Sequence, residues 1–459
     1  MGTLDRIRGM IHRATAPTHV RRFDAAAGGR RGSGLGWFGR TSTEVSAAAT
    51  TVRSRARYLA TNNPLIVAAV DNWVGSLVGT GIVPTGDEAA VARFTEWAAA
   101  ADADGRTDLF GLQAEIARAL VVDGEAFVHL VETDTGLKLR LIPAEMVDES
   151  RTANLDGGAY VVNGVRFNAD GTRAGYWVLP AKPTDQFATY AAPVFVPASD
   201  MLHVFKPIGV GQVRGISWLA PIVVPANELD GILDALAVGV RIAALHAGFL
   251  VDLGGNGAPF DGESDLSNVS LEPGTVRRLP QGFDIKFSTP QQAQQTADFV
   301  KAQIRLLAAG LGLPSHMVDG DLAGANYSSL RAGLLPFRTR VEQIQYGILV
   351  PQLLTPVWRR VQGHAVLSGE ADAVPPVEWL PPAFLQVDPQ KAVEADVAEL
   401  AAGLTSRRKL AAARGWNVAD LDREIAADRE REAALGLSFG QTAPAASEQP
   451  ATAQKDVEQ

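Results

Sequence analysis

The sequence predicts an α+β protein in which a block of short antiparallel strands lies between two long helical regions. The spacing of apolar residues is helical over 43–122, alternates over 126–205 and is helical again from residue 216. The dipeptides Asn163-Gly164 and Asp170-Gly171 separate alternating segments and are typical of tight hairpin turns. Hydrophobic residues make up 46% of the 459 positions, which is enough apolar material for a globular core.

The first helical region divides into two pairs of helices. One pair is predicted over 43–79 with a break at 62–64 (Asn-Asn-Pro), because proline is accepted in the first turn of a helix but disrupts its interior. The Gly-Thr-Gly sequence at 79–81 is predicted to end the second helix. The other pair is predicted over 87–101 and 108–122.

The central block is predicted to form one antiparallel meander of short strands. The alternating segments lie at 126–131, 137–141, 159–162, 165–167, 176–179, 194–196 and 202–205. His203 has apolar neighbours in the last of these segments. We therefore expect it to be a satisfied core or sheet residue rather than a metal ligand.

A single apolar stripe characterises the helical region that follows. Its members fall at positions i, i+3, i+4, i+7 and i+11 of one predicted helix, and they are Leu229, Ile232, Leu233, Leu236 and Val240. Such a stripe packs either between neighbouring copies of the chain or in the core of one subunit. The sequence leaves both interpretations open.

The rest of the chain is predicted to alternate between irregular and helical segments. Gly-rich and β-like pieces over 252–288 lead to a helix that begins with Ser-Thr-Pro at 288–290. One face of that helix is apolar and holds Phe299, Val300, Ile304, Leu307 and Leu311. A polar loop follows over 314–326. The next helical stretch, 327–363, is expected to be kinked by its prolines, and 388–435 is predicted to be helical and heavily charged.

Few enzyme motifs are present, and no cofactor or metal is predicted. The chain has no cysteine, no phosphate-binding GxxxxGK[ST] loop and no HExxH pair. Asp319 and Asp321 resemble the start of a calcium loop, but the remaining ligands of such a loop are missing. The longest apolar stretch contains charged residues, so no membrane-spanning segment is predicted.

Charge is distributed unevenly along the chain. Lysine and arginine total 42 against 51 acidic residues, which gives a net charge of −9. Residues 1–40 hold eight arginines and two aspartates and carry +6, so the remaining residues carry −15. Because phosphate binding depends mainly on lysine and arginine, an acidic body argues against tight wrapping of nucleic acid. It is compatible with nucleic acid that slides past.

Six short stretches, taken in order, resemble one family. They are RARYLATNNP at 55–64, VGTGI at 78–82, DGEA at 123–126, GQVRGIS at 211–217, GLP at 312–314, and GANYSS at 324–329 followed by Arg331. None of these stretches is specific alone, but their joint order and spacing over about 45–435 resemble the lambda-type portal proteins of tailed phages.

The resemblance implies a portal fold with an α/β wing, a helical stem, a small α/β clip, a kinked channel helix and a helical crown. Portals form a ring, usually of twelve copies, around a channel. The corresponding segments are the wing at 41–215, stem helices at 216–250 and 289–311 with the clip at 251–288 between them, a tunnel loop at 312–326, the kinked channel helix and linker at 327–384, and the crown at 385–440. Composition, rather than the resemblance, predicts a disordered basic arm at 1–40 and a disordered tail at 441–459.

The resemblance also implies a function. The ring occupies one capsid vertex, and a separate terminase ATPase docked on the clip pumps double-stranded DNA through it without sequence specificity. Further partners are the major capsid or scaffold protein and a head–tail adaptor. The expected location is the virion, with assembly in the host cytoplasm, and no catalytic activity is implied.

We expect the tunnel loop and the start of the next helix to line the channel. The candidate residues are Asp319, Asp321, Asn326, Tyr327, Arg331, Arg338 and Arg340. The aspartates would repel phosphate weakly at a constriction, and the arginines would make brief phosphate contacts. Salt bridges between subunits are an equally open role for the three arginines.

Two other kinds of protein remain possible from the sequence. One is a capsid-associated ring or scaffold protein without a DNA channel, although the helix–clip–helix stretch at 216–311 favours a portal. The other is a hydrolase that uses Asp123, Glu125 or Ser438. Asp123 and Glu125 more simply form a turn that leads into a strand. Ser438 lies in a G-x-S-x-G motif without the required preceding strand.

Overall fold

The structure is a computed structural model that describes residues 39–134, 136–180, 192–244, 248–252, 283–287, 293–324, 326–383 and 388–437. The predicted basic arm, the C-terminal tail and most of the predicted clip lie outside the described residues. Two hydrophobic clusters organise the fold. The larger one joins the N-terminal helices to the long C-terminal helices, and the smaller one lies among residues 127–201.

Four helices build the N-terminal part, and all four were predicted. They are α1 (Thr41–Asn62), α2 (Pro64–Val78), α3 (Glu88–Ala98) and α4 (Leu109–Val122). Asn63 separates the first two, and its side chain accepts a hydrogen bond from the Ile66 amide at 3.0 Å. This cap, together with Pro64 in the first turn, ends α1 and starts α2 within a single residue.

The strands between residues 125 and 205 form two sheets rather than the single predicted meander. Strands β2 (Glu125–Thr133) and β3 (Gly136–Ile142) pair in one sheet. The other sheet runs in the order β4 (Ala153–Asn154), β5 (Tyr160–Val162), β6 (Val165–Phe167), β7 (Arg173–Val178) and β8 (Val194–Pro197). Strand β9 (Met201–Phe205) does not extend the meander but returns to pair with β2. Because β2 is buried along most of its length, it needs a hydrogen-bonding neighbour on both edges.

One further strand pair was not predicted at all. Strand β1 (Val83–Gly86) pairs antiparallel with β12 (Val377–Leu380). Trp379 of this pair is buried, and its ring lies 5.9 Å from that of Phe94. The pair therefore ties the N-terminal helices to the chain that follows the long C-terminal helices.

A helical hairpin follows these two sheets. It consists of α5 (Val223–Ala244), the antiparallel strands β10 (Gly248–Asp252) and β11 (Phe283–Phe287), and α6 (Ala293–Leu311). Helix α5 begins at residue 223 rather than 216, after a short 3₁₀ turn at Ala220–Ile222. The amide of Trp218 donates to the Val121 carbonyl at 3.1 Å, so this part of the chain bonds to α4 instead of forming a helical turn.

The C-terminal half is mainly helical. It comprises α7 (His316–Asp319), α8 (Tyr327–Ile344), a π-helical segment (Gln345–Leu354), α9 (Thr355–Leu367), and then α10 (Pro389–Ala401), α11 (Arg407–Ala413) and α12 (Val418–Leu435). The short helix α7 lies where only a polar loop was predicted. Pro351 lies in the π segment and Pro356 lies in the first turn of α9, as expected of prolines that interrupt a helix. Pro336, in contrast, lies inside α8 without ending it.

Candidate functional site

A cleft of about 720 Å³ lies where α6, α7 and α8 meet. Asp319 at the end of α7 and Asp321 in the connection to α8 line it, as does Arg340 from the C-terminal half of α8. Lys301 and Arg305, which the sequence did not single out, line it from α6. The cleft therefore brings together three of the predicted channel residues and two additional cations.

Ion pairing and backbone bonds order the acidic side of the cleft. Lys301 Nζ donates to Asp321 Oδ2 at 2.9 Å, and the amides of Asp321 and Ala323 donate to the carboxylates of Asp319 and Asp321, each at 3.0 Å. The hydrogen bond from Lys301 and the one from the Ala323 amide lower the pKa of Asp321. Both aspartates thus accept backbone hydrogen bonds that order this part of the chain, and Asp321 is exposed whereas Asp319 is half-buried.

The basic side of the cleft is less completely paired. Arg340 donates to the Gly312 carbonyl, which closes the end of α6 over the cleft. Arg305 is exposed and has no ion-pair partner among the described residues. Lys206 lies near Arg340, and its half-buried position together with that positive charge lowers the pKa of its ammonium group.

The other predicted channel residues lie outside the cleft lining. Asn326 caps α8 by accepting from the Ser329 amide at 2.9 Å, and the Ser329 hydroxyl accepts from the Asn326 amide, also at 2.9 Å. Arg331 is exposed on the first turns of α8. Arg338 donates to Glu342 at 2.9 Å within the same helix. The side chain of Tyr327 lies outside the described residues.

The predicted apolar stripe of α5 divides into two parts. Leu229 is buried in the core of its own subunit, as the second of the two interpretations predicted. Ile232 and Leu236 are half-buried, whereas Leu233 and Val240 are exposed. Of the residues on the predicted apolar face of α6, Leu307 and Leu311 are buried, whereas Phe299 is 48% exposed.

The structure contains a buried ionic cluster that sequence reasoning missed. Glu125, at the start of β2, is fully buried and accepts from Arg214 Nη2 at 2.6 Å and from the Gly215 amide at 2.7 Å. Arg53 of α1 reaches the same carboxylate at 3.3 Å and Glu149 at 2.7 Å. Burial alone would raise the pKa of Glu125, but attraction to Arg214 and the hydrogen bond from His203 outweigh it and hold the pKa well below its usual range.

His203 completes this cluster as a neutral imidazole. Arg173 Nη1 lies 2.6 Å from Nδ1, and since a guanidinium can only donate, the ring proton is on Nε2 and is donated to Glu125 at 2.9 Å. Burial lowers the pKa of His203 to about 4, against the attraction of the Glu125 carboxylate. The ring is also stacked between Phe127 and Phe205. His203 is therefore the satisfied sheet residue that the sequence predicted.

Three of the sequence stretches that carry the family resemblance meet at or beside this cluster. Arg57 of the first stretch binds Asp123 of the third at 2.7 and 2.8 Å, and it also binds Glu145. The stretch at 211–217 supplies Arg214 and Gly215. The joint presence of these stretches in the sequence was the available signal for the cluster. No local sequence pattern indicated that their residues would be in contact.

The proposed hydrolase residues have structural partners. Asp123 accepts hydrogen bonds from Arg57 Nε and Nη2, and Glu125 is fully buried between two arginines and a histidine. Both form the turn and strand start that the simpler interpretation predicted. Ser438 lies outside the described residues. Asp123 and Glu125 line a cleft of about 300 Å³, where their carboxylates are paired with arginines.

Comparison with known proteins gives one family. Residues 35–345 match the family model for the phage portal protein, lambda family. A probable portal protein of Halomonas phage phiHAP-1 is 26% identical over 337 residues, and the matched segment covers 69% of this chain and 65% of that relative.

Solved structures also match over most of the chain. The neck of an empty gene transfer agent particle, computed with C6 symmetry, has a TM-score of 0.45 at 17% identity and covers 84% of this chain and 97% of that chain. An HK97 family phage portal protein from Corynebacterium diphtheriae has a TM-score of 0.35 at 13% identity over 71% of this chain and 99% of that chain. Across the described ranges, no helix is both long enough and apolar enough to cross a membrane.

Proposed function

Because the chain belongs to the lambda family of phage portal proteins, we propose that it forms the ring at one capsid vertex through which double-stranded DNA is packaged and ejected. The observation that carries this proposal is the family match over residues 35–345, which extends from the N-terminal helices to the end of α8. We further propose a structural rather than a catalytic role, without a cofactor, and a location in the virion after assembly in the host cytoplasm.

The order of elements supports a division into portal regions. In the proposed ring, the helices and sheets of 41–215 form the wing, and α5 and α6 form the stem on either side of a clip that includes β10 and β11. The connection that holds Asp319 and Asp321 forms the tunnel loop. Helices α10 to α12 form the crown. A ring of twelve copies is the stoichiometry that we propose.

In the proposed mechanism, duplex DNA passes through the channel without being bound tightly. Duplex DNA carries about one negative charge per 1.7 Å of its axis, so a strongly basic channel would retain it. The carboxylates of Asp319 and Asp321 would repel phosphates weakly at the narrowest point. Exposed Arg331, one turn into α8, would make contacts that break as the DNA advances. Arg338 and Arg340 already have partners in the subunit, so they would contribute less.

The force for packaging comes from outside the chain in this proposal. A terminase ATPase docks on the clip, a major capsid or scaffold protein surrounds the wing, and a head–tail adaptor joins after packaging. The basic arm at 1–40 is the segment we propose for contact with the capsid or scaffold, since its charge is opposite to that of the body.

Ring formation is the first test of this function. The purified chain should sediment far above the 48.6 kDa of one subunit, and negative-stain images should show rings with a central hole. A monomer that stays stable at micromolar concentration, also in the presence of capsid or scaffold protein, would contradict the proposal. A ring without DNA passage in a packaging assay would instead favour a capsid-associated ring of another kind.

Charge reversal in the tunnel loop tests the mechanism. Changing both Asp319 and Asp321 to Lys should slow or stall packaging while rings still form, because the constriction would then attract phosphate. A matched control changes Glu370 and Asp372 to Lys, which alters net charge equally at exposed positions after α9. Unchanged packaging by the tunnel-loop variant would reject the constriction role and leave the ring untouched.

A further inference from the structure

Two consecutive side chains of α2 bond to the backbone on both sides of the turn that follows α6. The indole Nε1 of Trp73 donates to the Leu311 carbonyl at 3.2 Å, and Asn72 Nδ2 donates to the Met317 carbonyl at 2.7 Å. Leu311 is the last residue of α6, and Met317 lies in the short helix α7. Because the last carbonyls of a helix have no partner within that helix, α2 supplies donors that both helix ends need.

The backbone between these two carbonyls is closely bonded. The amides of Gly312 and Leu313 donate back into the last turn of α6 at 3.1 and 2.9 Å, and Gly312 has the left-handed φ, +73°, of a residue that ends a helix. The amides of Met317 and Val318 each donate to the carbonyl three residues earlier, at 3.0 and 2.8 Å. Val318 is buried in the larger hydrophobic cluster. Residues 311–319 therefore form an ordered segment, which we call the loop base.

Trp73 also contacts the chain that follows the proposed tunnel loop. Its ring is buried, and it packs edge-on against the ring of Phe337 in α8 at a centroid distance of 5.2 Å. Trp218 packs against the same indole at 5.3 Å. One side chain of α2 thus bonds to the end of α6 and packs against α8, which are the two helices that flank the loop.

A third polar contact joins α2 to the chain beyond α8. Gln345, the first residue of the π-helical segment, is buried, and its Nε2 donates to the Leu77 carbonyl at 2.8 Å and to the Ser76 carbonyl at 3.3 Å. Both carbonyls belong to the last turn of α2, where an intrahelical donor is missing. Helix α2 is therefore bonded to the chain before and after the proposed tunnel loop.

The residues that follow the loop base have different surroundings. Each of residues 320–324, which we call the loop tip, is exposed. Gly320, with a φ of +70°, ends α7. Lys301 pairs with Asp321 in the tip, but these side chains are 51% and 38% exposed, and ion pairs between exposed side chains contribute little to stability. The proposed tunnel loop thus changes at Gly320 from a base that α2 holds to a tip that is weakly held.

We infer that Asn72 and Trp73 are positioning residues for the proposed tunnel loop. They fix the loop base to α2, so that moving DNA displaces the loop tip while the base keeps its place. Both side chains act through backbone carbonyls of the base and not by contact with DNA. The inference rests on the proposed function, and it divides the tunnel loop expected at 312–326 into a held part and a yielding part.

Hydrogen–deuterium exchange of the purified chain tests the two hydrogen bonds. Trp73→Phe removes the indole donor and keeps an aromatic ring, and Asn72→Ala removes the other donor at a half-buried position. We expect amides in 312–319 to exchange about five-fold faster in each variant, which corresponds to about 1 kcal/mol for one lost hydrogen bond. The matched control is Trp358→Phe, because Trp358 is equally buried and donates to the Pro375 carbonyl at 3.0 Å, away from the loop.

The control variant should leave exchange in 312–319 as it is in the wild-type chain. Unchanged exchange of these amides in both Trp73→Phe and Asn72→Ala would overturn the inference. An increase spread evenly over the whole chain would also overturn it, because the two side chains would then support the fold in general and not the loop base.

A packaging assay tests the positioning role. The double variant Asn72→Ala/Trp73→Phe should still form rings but should package DNA several-fold more slowly, because a loosened base no longer fixes how far the tip projects. Trp358→Phe should package at the wild-type rate. Rings of the double variant that package at the wild-type rate would overturn the positioning role. If the wild-type chain forms no rings, the proposed function fails, whereas the exchange measurement still decides whether α2 holds the loop base.

Discussion

Glu125 carries a negative charge at a position that water does not reach. Its carboxylate is surrounded by Arg214, Arg53, His203 and the Gly215 amide, and each contributes a hydrogen bond. A buried ion pair of this kind adds little stability compared with an apolar core, but removing one member leaves the others uncompensated. The cluster therefore makes the β-sheet region sensitive to single substitutions at these few positions.

We expect Glu125→Gln to destabilise the protein by on the order of 3–5 kcal/mol, the range for breaking a buried ionic contact. The amide cannot balance two buried guanidinium groups, and it presents a donor to Arg214. Urea denaturation followed by tryptophan fluorescence measures the loss. Glu88→Gln is the control, because Glu88 pairs with Arg423 on the surface and should change stability little. Equal losses in the free energy of unfolding for the two variants would contradict the greater contribution to stability that we expect from Glu125.

His203 predicts how stability depends on pH. Its pKa is about 4 in the folded protein and 6.5 ordinarily, so between these values the unfolded chain binds a proton that the folded chain does not. The free energy of unfolding should therefore fall as the pH is lowered from about 6.5 towards 4. The pKa of Glu125 is also depressed from its ordinary 4.5, and this adds a loss of stability in the same direction below about pH 4.5.

Denaturation at about pH 7 and pH 5 isolates the histidine contribution, because both pH values lie above the range in which Glu125 titrates. His203→Gln should flatten the difference in unfolding free energy between them. The control is His129→Gln, since His129 also has a pKa lowered by burial but is only half-buried and should contribute less. If the free energy of unfolding of His203→Gln depends on pH as in the unsubstituted protein, His203 does not cause that dependence.

At the scale of elements, two backbone segments approach closely where α4 meets β2. Gly124 has φ of +90°, and a Cβ there would lie 2.0 Å from the carbonyl carbon of Ile216. Gly215 faces it across the same contact, where its own Cβ would lie 2.3 Å from the Gly124 carbonyl oxygen. Glycine at both positions allows the 211–217 segment to bring Arg214 onto Glu125.

Gly124→Ala should therefore destabilise the fold by more than the backbone strain alone. Gly136→Ala is the matched control, because Gly136 also has a left-handed φ, +103°, but a Cβ there meets nothing within 4 Å. We expect the control to cost about 1 kcal/mol and Gly124→Ala several kcal/mol more, since backbone atoms must move. Thermal and urea unfolding measure both variants. Equal losses would mean that the two segments separate without cost.

The elements that the sequence predicted well are those defined by neighbouring residues. Helix α2 follows from Asn63 and Pro64, and the β5–β6 hairpin follows from Asn163-Gly164. The strand pairings that the sequence did not predict join distant positions, such as Pro84 with Trp379 and Phe127 with His203. No local periodicity in the sequence encodes such pairs. The buried cluster was missed for the same reason, because a glutamate that begins a strand has the same local pattern whether it is buried or exposed.

At the scale of the whole molecule, the charge of the chain is divided by position. The arm at 1–40 carries +6, and the rest carries −15. A polyanion such as duplex DNA gains affinity from each phosphate that a cation neutralises, and it loses affinity near uncompensated carboxylates. Residues 41–459 should therefore allow DNA to pass. The arm at 1–40 could retain DNA unless another partner occupies the arm.

We expect a chain that lacks residues 1–40 to leave duplex DNA unshifted in gel mobility assays at about 150 mM salt, because its net charge of −15 supplies no phosphate-binding surface that outweighs repulsion. The full chain should bind DNA at low salt through its eight arm arginines. That binding should weaken by roughly 10³- to 10⁵-fold between 50 and 200 mM salt if most of them contact phosphate. A control that replaces the arm arginines with glutamine should behave like the shortened chain. Tight DNA binding by the shortened chain would contradict the proposal that DNA passes without being bound tightly, because residues 41–459 would then retain the DNA.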